Sequence, residues 1–204
     1  MPDLVFQTDM QTHEPPLSSW KWRYAVRYPV LAWQRRQRQL ERMDHSRKTG
    51  VRKVIFHLLK YLHRRNSIRL GFSIPLHTFG PGLSIAHWGT IAVDSQARIG
   101  RNCRIHQGVT IGRSKDRSPV IGDNCFIGAN ASIIGGITLG NDVKIGAGAV
   151  VNRSFPDGAV LVGVPAENIA GGRTTRTGPE QAGAGRPQGS AGSGGRRAHV
   201  RPVR

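Results

Sequence analysis

The chain has 204 residues, 38% of them hydrophobic, and a formal net charge of +18, which leaves room for one domain with appendages or two small ones. The excess charge is uneven: 15 basic against 5 acidic residues in 1–70, 8 against 6 in 71–170 and 7 against 1 in 171–204, leaving +10, +2 and +6. A uniformly basic body for specific nucleic-acid binding is therefore not expected, and solvated faces account for most of the charge. Cys103 and Cys125 lack CxxC spacing, which argues against a disulfide framework or thiolate metal site and for small core residues.

In chain order, residues 1–16 read as unstructured, ending at Pro15 and Pro16. Asp3, Asp9 and Glu14 with no apolar run argue against a secretory signal there, and a reducing cytoplasm is the expected compartment. Two helices are predicted over roughly 18–44 and 51–65, with Ser18 or Ser19 as cap and Gly50 as the break. Val51, Val54, Ile55, Leu58, Leu59 and Leu62 form an apolar stripe flanked by Arg52, Lys53, Lys60 and Arg64. That stripe suits a helix packed on the body or on a neighbouring subunit; a peripheral membrane contact is the alternative, encouraged by Trp20, Trp22 and Trp33. No run reaches the ~18 apolar residues of a membrane span. From 172 to 204 the chain is Gly, Arg, Pro and Ser, too poor in large apolar residues to offset ordering entropy, and is expected to be a disordered basic tail.

The middle carries the strongest pattern. Aliphatic residues return every sixth position at Val93, Ile99, Ile105 and Ile111, then at Ile121, Ile127, Ile133, Leu139, Ile145 and Val151. A companion file lies four places later, at Ala97, Cys103, Val109, Cys125, Ala131, Ile137, Val143 and Ala149. Neither a helix nor a simple alternating strand has this period. A hexad supplies one short strand and one corner, and three hexads close a triangular coil of about 18 residues that stacks on the next at about 4.8 Å. The predicted class is mainly β, a parallel β-helix of about four coils over 71–171, preceded by a basic helical region over 1–70. Gly100, Gly122, Gly128, Gly140 and Gly146 are expected to let the corners turn. Extending the frame backward puts Pro75, Pro81 and His87 in the main file and Phe79, Ile85 and Ile91 in the companion file.

Two features break the apolar regularity. His87 is either a buried filler with one hydrogen bond, or the coil is distorted so that the ring faces a groove. Four extra residues between Ile111 and Ile121 make a polar loop, Gly112-Arg113-Ser114-Lys115-Asp116-Arg117-Ser118-Pro119. Loops leaving a rigid scaffold often carry function, and this one is expected to share a cleft with His87. His106, one place after the main file, is a second candidate or a plain corner histidine.

The segments Ile85-Ala86-His87-Trp88-Gly89-Thr90-Ile91-Ala92-Val93, His106-Gln107-Gly108-Val109-Thr110-Ile111-Gly112, Ile145-Gly146-Ala147-Gly148-Ala149-Val150-Val151 and Gly163-Val164-Pro165-Ala166 resemble the left-handed β-helix of the hexapeptide-repeat acyltransferases. The resemblance is to the serine acetyltransferase branch and its relatives in polysaccharide gene clusters. It implies a homotrimer with acetyl-CoA as co-substrate in the groove between neighbours, no metal, and an O-acetyl transfer to serine or a sugar hydroxyl. In such enzymes the histidine at the place of His87 takes the acceptor proton, which suits an alcohol that needs a base poised near neutral pH. The resemblance places Gly112, Ala129, Lys144 and Ala147 at CoA, with Lys115, Arg117 or Arg153 available to phosphates. An N–H of the loop or a corner is expected to stabilise the oxyanion.

The chain departs from the serine enzymes where they carry acidic residues. The position before the histidine holds Ala86, the one fifteen places earlier holds Phe72, and the histidine before proline in the loop is replaced by Ser118. Serine as acceptor therefore loses support relative to a sugar. A non-enzymatic trimeric scaffold binding a membrane surface or polyanion through its basic ends is the alternative. A zinc enzyme on the same scaffold would need three converging imidazoles, and no His-x4-His pair accompanies His87.

Overall fold

A computed structural model describes residues 4–13, 15–44 and 49–171; the expectation for the tail from 172 lies outside them. From Phe72 the hexads wind into a parallel β-solenoid with three flat faces, its strands numbered β1 to β14 in chain order. Face one stacks β1 (Phe72–Ser73), β3 (Ile91–Val93), β6 (Thr110–Gly112), β9 (Ser132–Ile134) and β12 (Val150–Val151). Face two stacks β4 (Arg98–Ile99), β7 (Val120–Ile121) and β10 (Thr138–Leu139), with bridges to Phe79 above and Phe155 below. Face three stacks β2 (Ser84–Ile85), β5 (Arg104–Ile105), β8 (Phe126–Ile127), β11 (Lys144–Ile145) and β13 (Val160–Val162), and closes with the antiparallel β14 (Glu167–Asn168). The register places like on like: Ile85, Ile105, Ile127, Ile145 and Leu161 form one buried column and Val93, Ile111, Ile133 and Val151 another. Each such side chain contributes about 1.5–3 kcal/mol by leaving water.

The backward frame fails at one corner. Eight positions separate Ile85 from Val93, against six between their partners Ile105 and Ile111. The two extra residues bulge the corner at 86–90, so Ile85 and Phe79 occupy the main file and His87 is exposed outside it. The predicted corner glycines also act differently from expectation. The left-handed conformation falls instead on Asn102, Asn124, Asn130 and Asp142, with φ of 53°, 58°, 59° and 57°, which short polar side chains tolerate. Gly100, Gly122 and Gly128 are needed because a Cβ there would lie 2.6–2.7 Å from backbone atoms of the next coil.

The helical region comprises α1 (Leu4–Gln11), α2 (Tyr24–Arg27), α3 (Pro29–Asp44) and α4 (Val51–Leu70). Thus Leu4–Gln11, within the stretch expected to be unstructured, is helical: α1 buries Phe6 and Met10 against Leu31, with Trp20 edge-on to Phe6 at 5.8 Å. Buried polar side chains join these helices to the first coil. Asp9 Oδ1 accepts the Gly82 and Leu83 N–H groups at 2.8 and 2.9 Å, while Arg38 donates to the Phe79 and Gly80 carbonyls at 2.9 and 2.7 Å and to Asp9 Oδ2 at 2.8 Å. Burial opposes the charge of Arg38, but hydrogen bonds and the charges of Asp9 and Glu41 outweigh it and raise the guanidinium pKa. Gln34 and Gln37 donate to the Leu83 and Pro75 carbonyls at 2.8 and 3.0 Å. Helix α4 buries only Phe56 and His63, leaving Val51, Val54, Ile55, Leu58 and Leu62 of its apolar stripe exposed rather than packed on the body.

Candidate active site

The bulge at 86–90 is held from above and below. Above it, α4 ends on Gly71 in the left-handed conformation (φ 80°), and a Cβ there would lie 2.9 Å from the Gly89 carbonyl carbon. The Gly89 N–H donates to the Leu70 carbonyl at 3.0 Å and the Ile91 N–H to Gly71 at 3.0 Å. Below, the Thr90 carbonyl accepts the Gly108 N–H at 2.6 Å, and Ala86 N–H reaches Ile105 at 3.1 Å. The backbone is therefore fixed while His87 and Trp88 project outward. The His87 ring lies edge-on to His106 with centroids 6.1 Å apart, and His106 is edge-on to Phe126 at 5.3 Å, making an aromatic file down the coils.

Among the described residues, no carboxylate pairs with the His87 imidazole. Ala86 precedes it, and Phe72 is buried edge-on to Trp33 at 5.0 Å. No group of three His, Cys, Asp or Glu able to hold a metal gathers among the described residues. Cys103 and Cys125 are free thiols, and burial raises both pKa values and keeps the sulfurs protonated.

The sequence-derived candidates fall on two edges of the prism. The corner from face three to face one carries His87 in the first coil, His106 in the second, Ala129 in the third and Ala147 in the fourth, and Lys144 is exposed on face three just before it. The corner from face one to face two carries Gly112, Lys115 and Arg117. Loop and imidazole therefore do not share a cleft within one chain, contrary to expectation, because the loop leaves a strand of face one that ends at Gly112, whereas His87 follows a strand of face three that ends at Ile85.

The loop is well anchored. Ser114 and Arg117 exchange backbone hydrogen bonds at 3.1 and 3.3 Å around Lys115 in the left-handed conformation (φ 54°). The Arg117 stem lies where a Cβ on Gly136 would be, so glycine lets the loop rest on the coil below. At its base the Ser118 hydroxyl donates to Asp94 Oδ1 at 2.6 Å. That bond and the Gln96 N–H hold the Asp94 carboxyl below the usual carboxylate range. A groove of about 620 Å³ runs beside the loop, bordered by Lys115, Arg117, Gly135, Gly136 and Asn152. Arg153, by contrast, is engaged within the fold, over the Phe155 ring at 5.3 Å and donating to the Ala166 carbonyl at 3.3 Å.

Sequence reasoning did not single out Trp88, which is 66% exposed beside His87. A large apolar side chain following a histidine at an irregular corner was the available signal. Nor did it find the Asp94–Ser118 latch, which depends on coils that are distant in sequence.

Residues 118–153 match the bacterial transferase hexapeptide (six repeats) family. The chain is 37% identical over 121 residues to a serine acetyltransferase of Synechococcus elongatus, covering 57% of itself and 48% of that protein. To the serine acetyltransferase of Helicobacter pylori it is 29% identical over 174 residues, covering 83% of itself and 98% of the relative. It thus spans about half of the first relative and nearly all of the second. Among solved structures, Neisseria gonorrhoeae serine acetyltransferase in complex with serine superposes with a TM-score of 0.62 at 31% identity, over 81% of this chain and 68% of that one. Serine acetyltransferase of Brucella abortus in complex with coenzyme A gives 0.62 at 28% identity, over 81% and 66%. The chain belongs to the hexapeptide-repeat acyltransferases, in their serine acetyltransferase-like branch.

Proposed function

We propose that the protein is an acetyl-CoA-dependent O-acetyltransferase with His87 as general base. The observation that carries this reading is the bulged corner, which takes His87 out of the aliphatic column and holds it on the same edge as the small residues Ala129 and Ala147. A relative crystallised with coenzyme A supports the choice of donor. The imidazole removes the proton of an acceptor hydroxyl as that oxygen attacks the thioester carbonyl, and the tetrahedral oxyanion is met by a backbone N–H. Collapse breaks the C–S bond, and the imidazolium returns the proton to the leaving thiolate, so coenzyme A departs as a free thiol. His106, edge-on to His87, limits the ring's rotation and orients it in place of the missing carboxylate.

The working unit is a homotrimer. The two lines of candidates lie on different edges of one prism, so the loop of one copy reaches the His87 edge of another only across a contact between copies. In that arrangement Ala129 and Ala147 let the pantetheine arm lie close to the coil, Gly112 lines its passage, and Lys115, Arg117 and Lys144 face phosphates. The test is thiol release from acetyl-CoA. His87→Ala is expected to lose at least about 100-fold in kcat while binding coenzyme A as the wild type does; near-normal turnover by that variant rules out the base.

A further inference from the structure

Trp88 does more than follow the base in sequence. Its indole walls a depression of about 410 Å³, whose apolar side comes from Ala25, Pro29, Ala32 and Leu70 and whose polar side comes from Asn66 and Arg69 of α4. The Gly89 N–H to Leu70 carbonyl bond at 3.0 Å ties the corner carrying His87 and Trp88 to the end of the helix carrying Asn66 and Arg69, so Trp88, the residue after His87, walls the depression from a fixed corner. Among the described residues no carboxylate lines it, and the formal charge they bring is the Arg69 guanidinium.

Those groups discriminate between acceptors. An amino-acid acceptor carries an ammonium as well as a carboxylate; Arg69 suits the carboxylate, but the lining offers no anion for the ammonium. A pyranose has one face of C–H groups and a rim of hydroxyls. The C–H face lies flat on an indole, and the rim hydroxyls can accept from a guanidinium and exchange hydrogen bonds with an amide. We infer that the acceptor is a carbohydrate whose ring stacks on Trp88, with ring hydroxyls held by Arg69 and Asn66 and one further hydroxyl delivered to His87. The inference rests on the acetyl-transfer reading. Its balance is the same: the sugar O–H gives its proton to the imidazole, the ester C–O bond forms, the thioester C–S bond breaks, and the thiol leaves with that proton. Trp88 is a positioning residue that sets acceptor specificity.

The experiment uses the full-length protein with acetyl-CoA and a panel of acceptors: methyl glycosides of neutral, amino and acidic hexoses, nucleotide sugars, and serine. Thiol release is followed for the wild type, Trp88→Ala, Trp88→Phe and Arg69→Gln. Saturation-transfer NMR measures binding of the same glycosides without turnover. The expected result is release dependent on a sugar. The acceptor KM should rise at least tenfold in Trp88→Ala and be partly restored in Trp88→Phe, with the KM for acetyl-CoA unchanged. Release with serine and with no sugar overturns the inference while leaving acetyl transfer intact. So does the absence of any sugar binding, or a Trp88→Ala variant with an unchanged sugar KM. Failure of coenzyme A to bind in calorimetry, by contrast, brings down the acetyl-transfer reading itself.

Discussion

Lowering the pH from neutral should weaken the helical region through His63. Its ring is stacked on Trp33 with centroids 5.0 Å apart and 27° between planes, and the residue is only 8% exposed. Burial, reinforced by the charge of Arg36, lowers its pKa from 6.5 to about 4. Between those values the unfolded chain takes up a proton that the folded chain refuses. The contribution is therefore fully present above about pH 6.5, falls as the pH drops, and is lost below about pH 4. At about 1.4 kcal/mol per unit the whole shift corresponds to about 3 kcal/mol, of which about 2 kcal/mol disappears between pH 7.5 and 5. For a chain of this size that is about 4–8 °C in Tm. The comparison is His63→Phe, which keeps a ring on Trp33 and cannot titrate. Urea unfolding of both proteins at fixed concentration, from pH 7.5 to 5, should show the wild type losing about 2 kcal/mol more than the variant. Parallel losses in the two proteins would refute the assignment of this stability to the buried neutral imidazole.

Two other substitutions test the scaffold and the loop. Asp9→Ala leaves Arg38 buried with two of its five hydrogen bonds removed and the Gly82 and Leu83 N–H groups unpaired, and should cost about 3–5 kcal/mol in urea unfolding. The double variant Lys115→Ala/Arg117→Ala should raise the KM for acetyl-CoA about tenfold with little change in kcat, and the difference from wild type should shrink as salt is added. A kcat loss with unchanged KM would place those residues away from the phosphates.

The aliphatic columns were legible from Val93 onward because a hexad repeat admits one arrangement: a strand, a corner and a buried residue. The extrapolation failed where two added residues between Ile85 and Val93 changed the count, and an insertion that short gives no signal in a window of three hexads. His87 was recognisable as an exception, but which of its two alternatives holds depends on that insertion. The loop was visible as four surplus residues, yet its edge follows from counting corners around a triangle. Once the Ile85–Ile105 pairing is known, Ile111 falls on a different face from Ile85. Helix α1 was missed because it has no apolar periodicity of its own; its order comes from Asp9 meeting backbone donors more than seventy residues away and from Phe6 meeting Trp20. Trp88 and Arg69 are adjacent to nothing in sequence that relates them, and only the seating of α4 against the 86–90 corner brings them together.

Asp9 and Arg38 have a consequence for assembly beyond their strength as an ion pair. A stack of parallel coils ends in a row of unpaired backbone donors and acceptors, the same row that elsewhere recruits the next coil. Asp9 takes two of the donors, Arg38, Gln34 and Gln37 take four of the acceptors, and Glu41 takes the His77 N–H at 2.8 Å. These side chains act as a zeroth coil that no further strand can displace without leaving buried charge behind. Removing the helices would therefore expose a self-templating rim rather than yield a smaller enzyme, and the basic amino-terminal region keeps the solenoid finite in length.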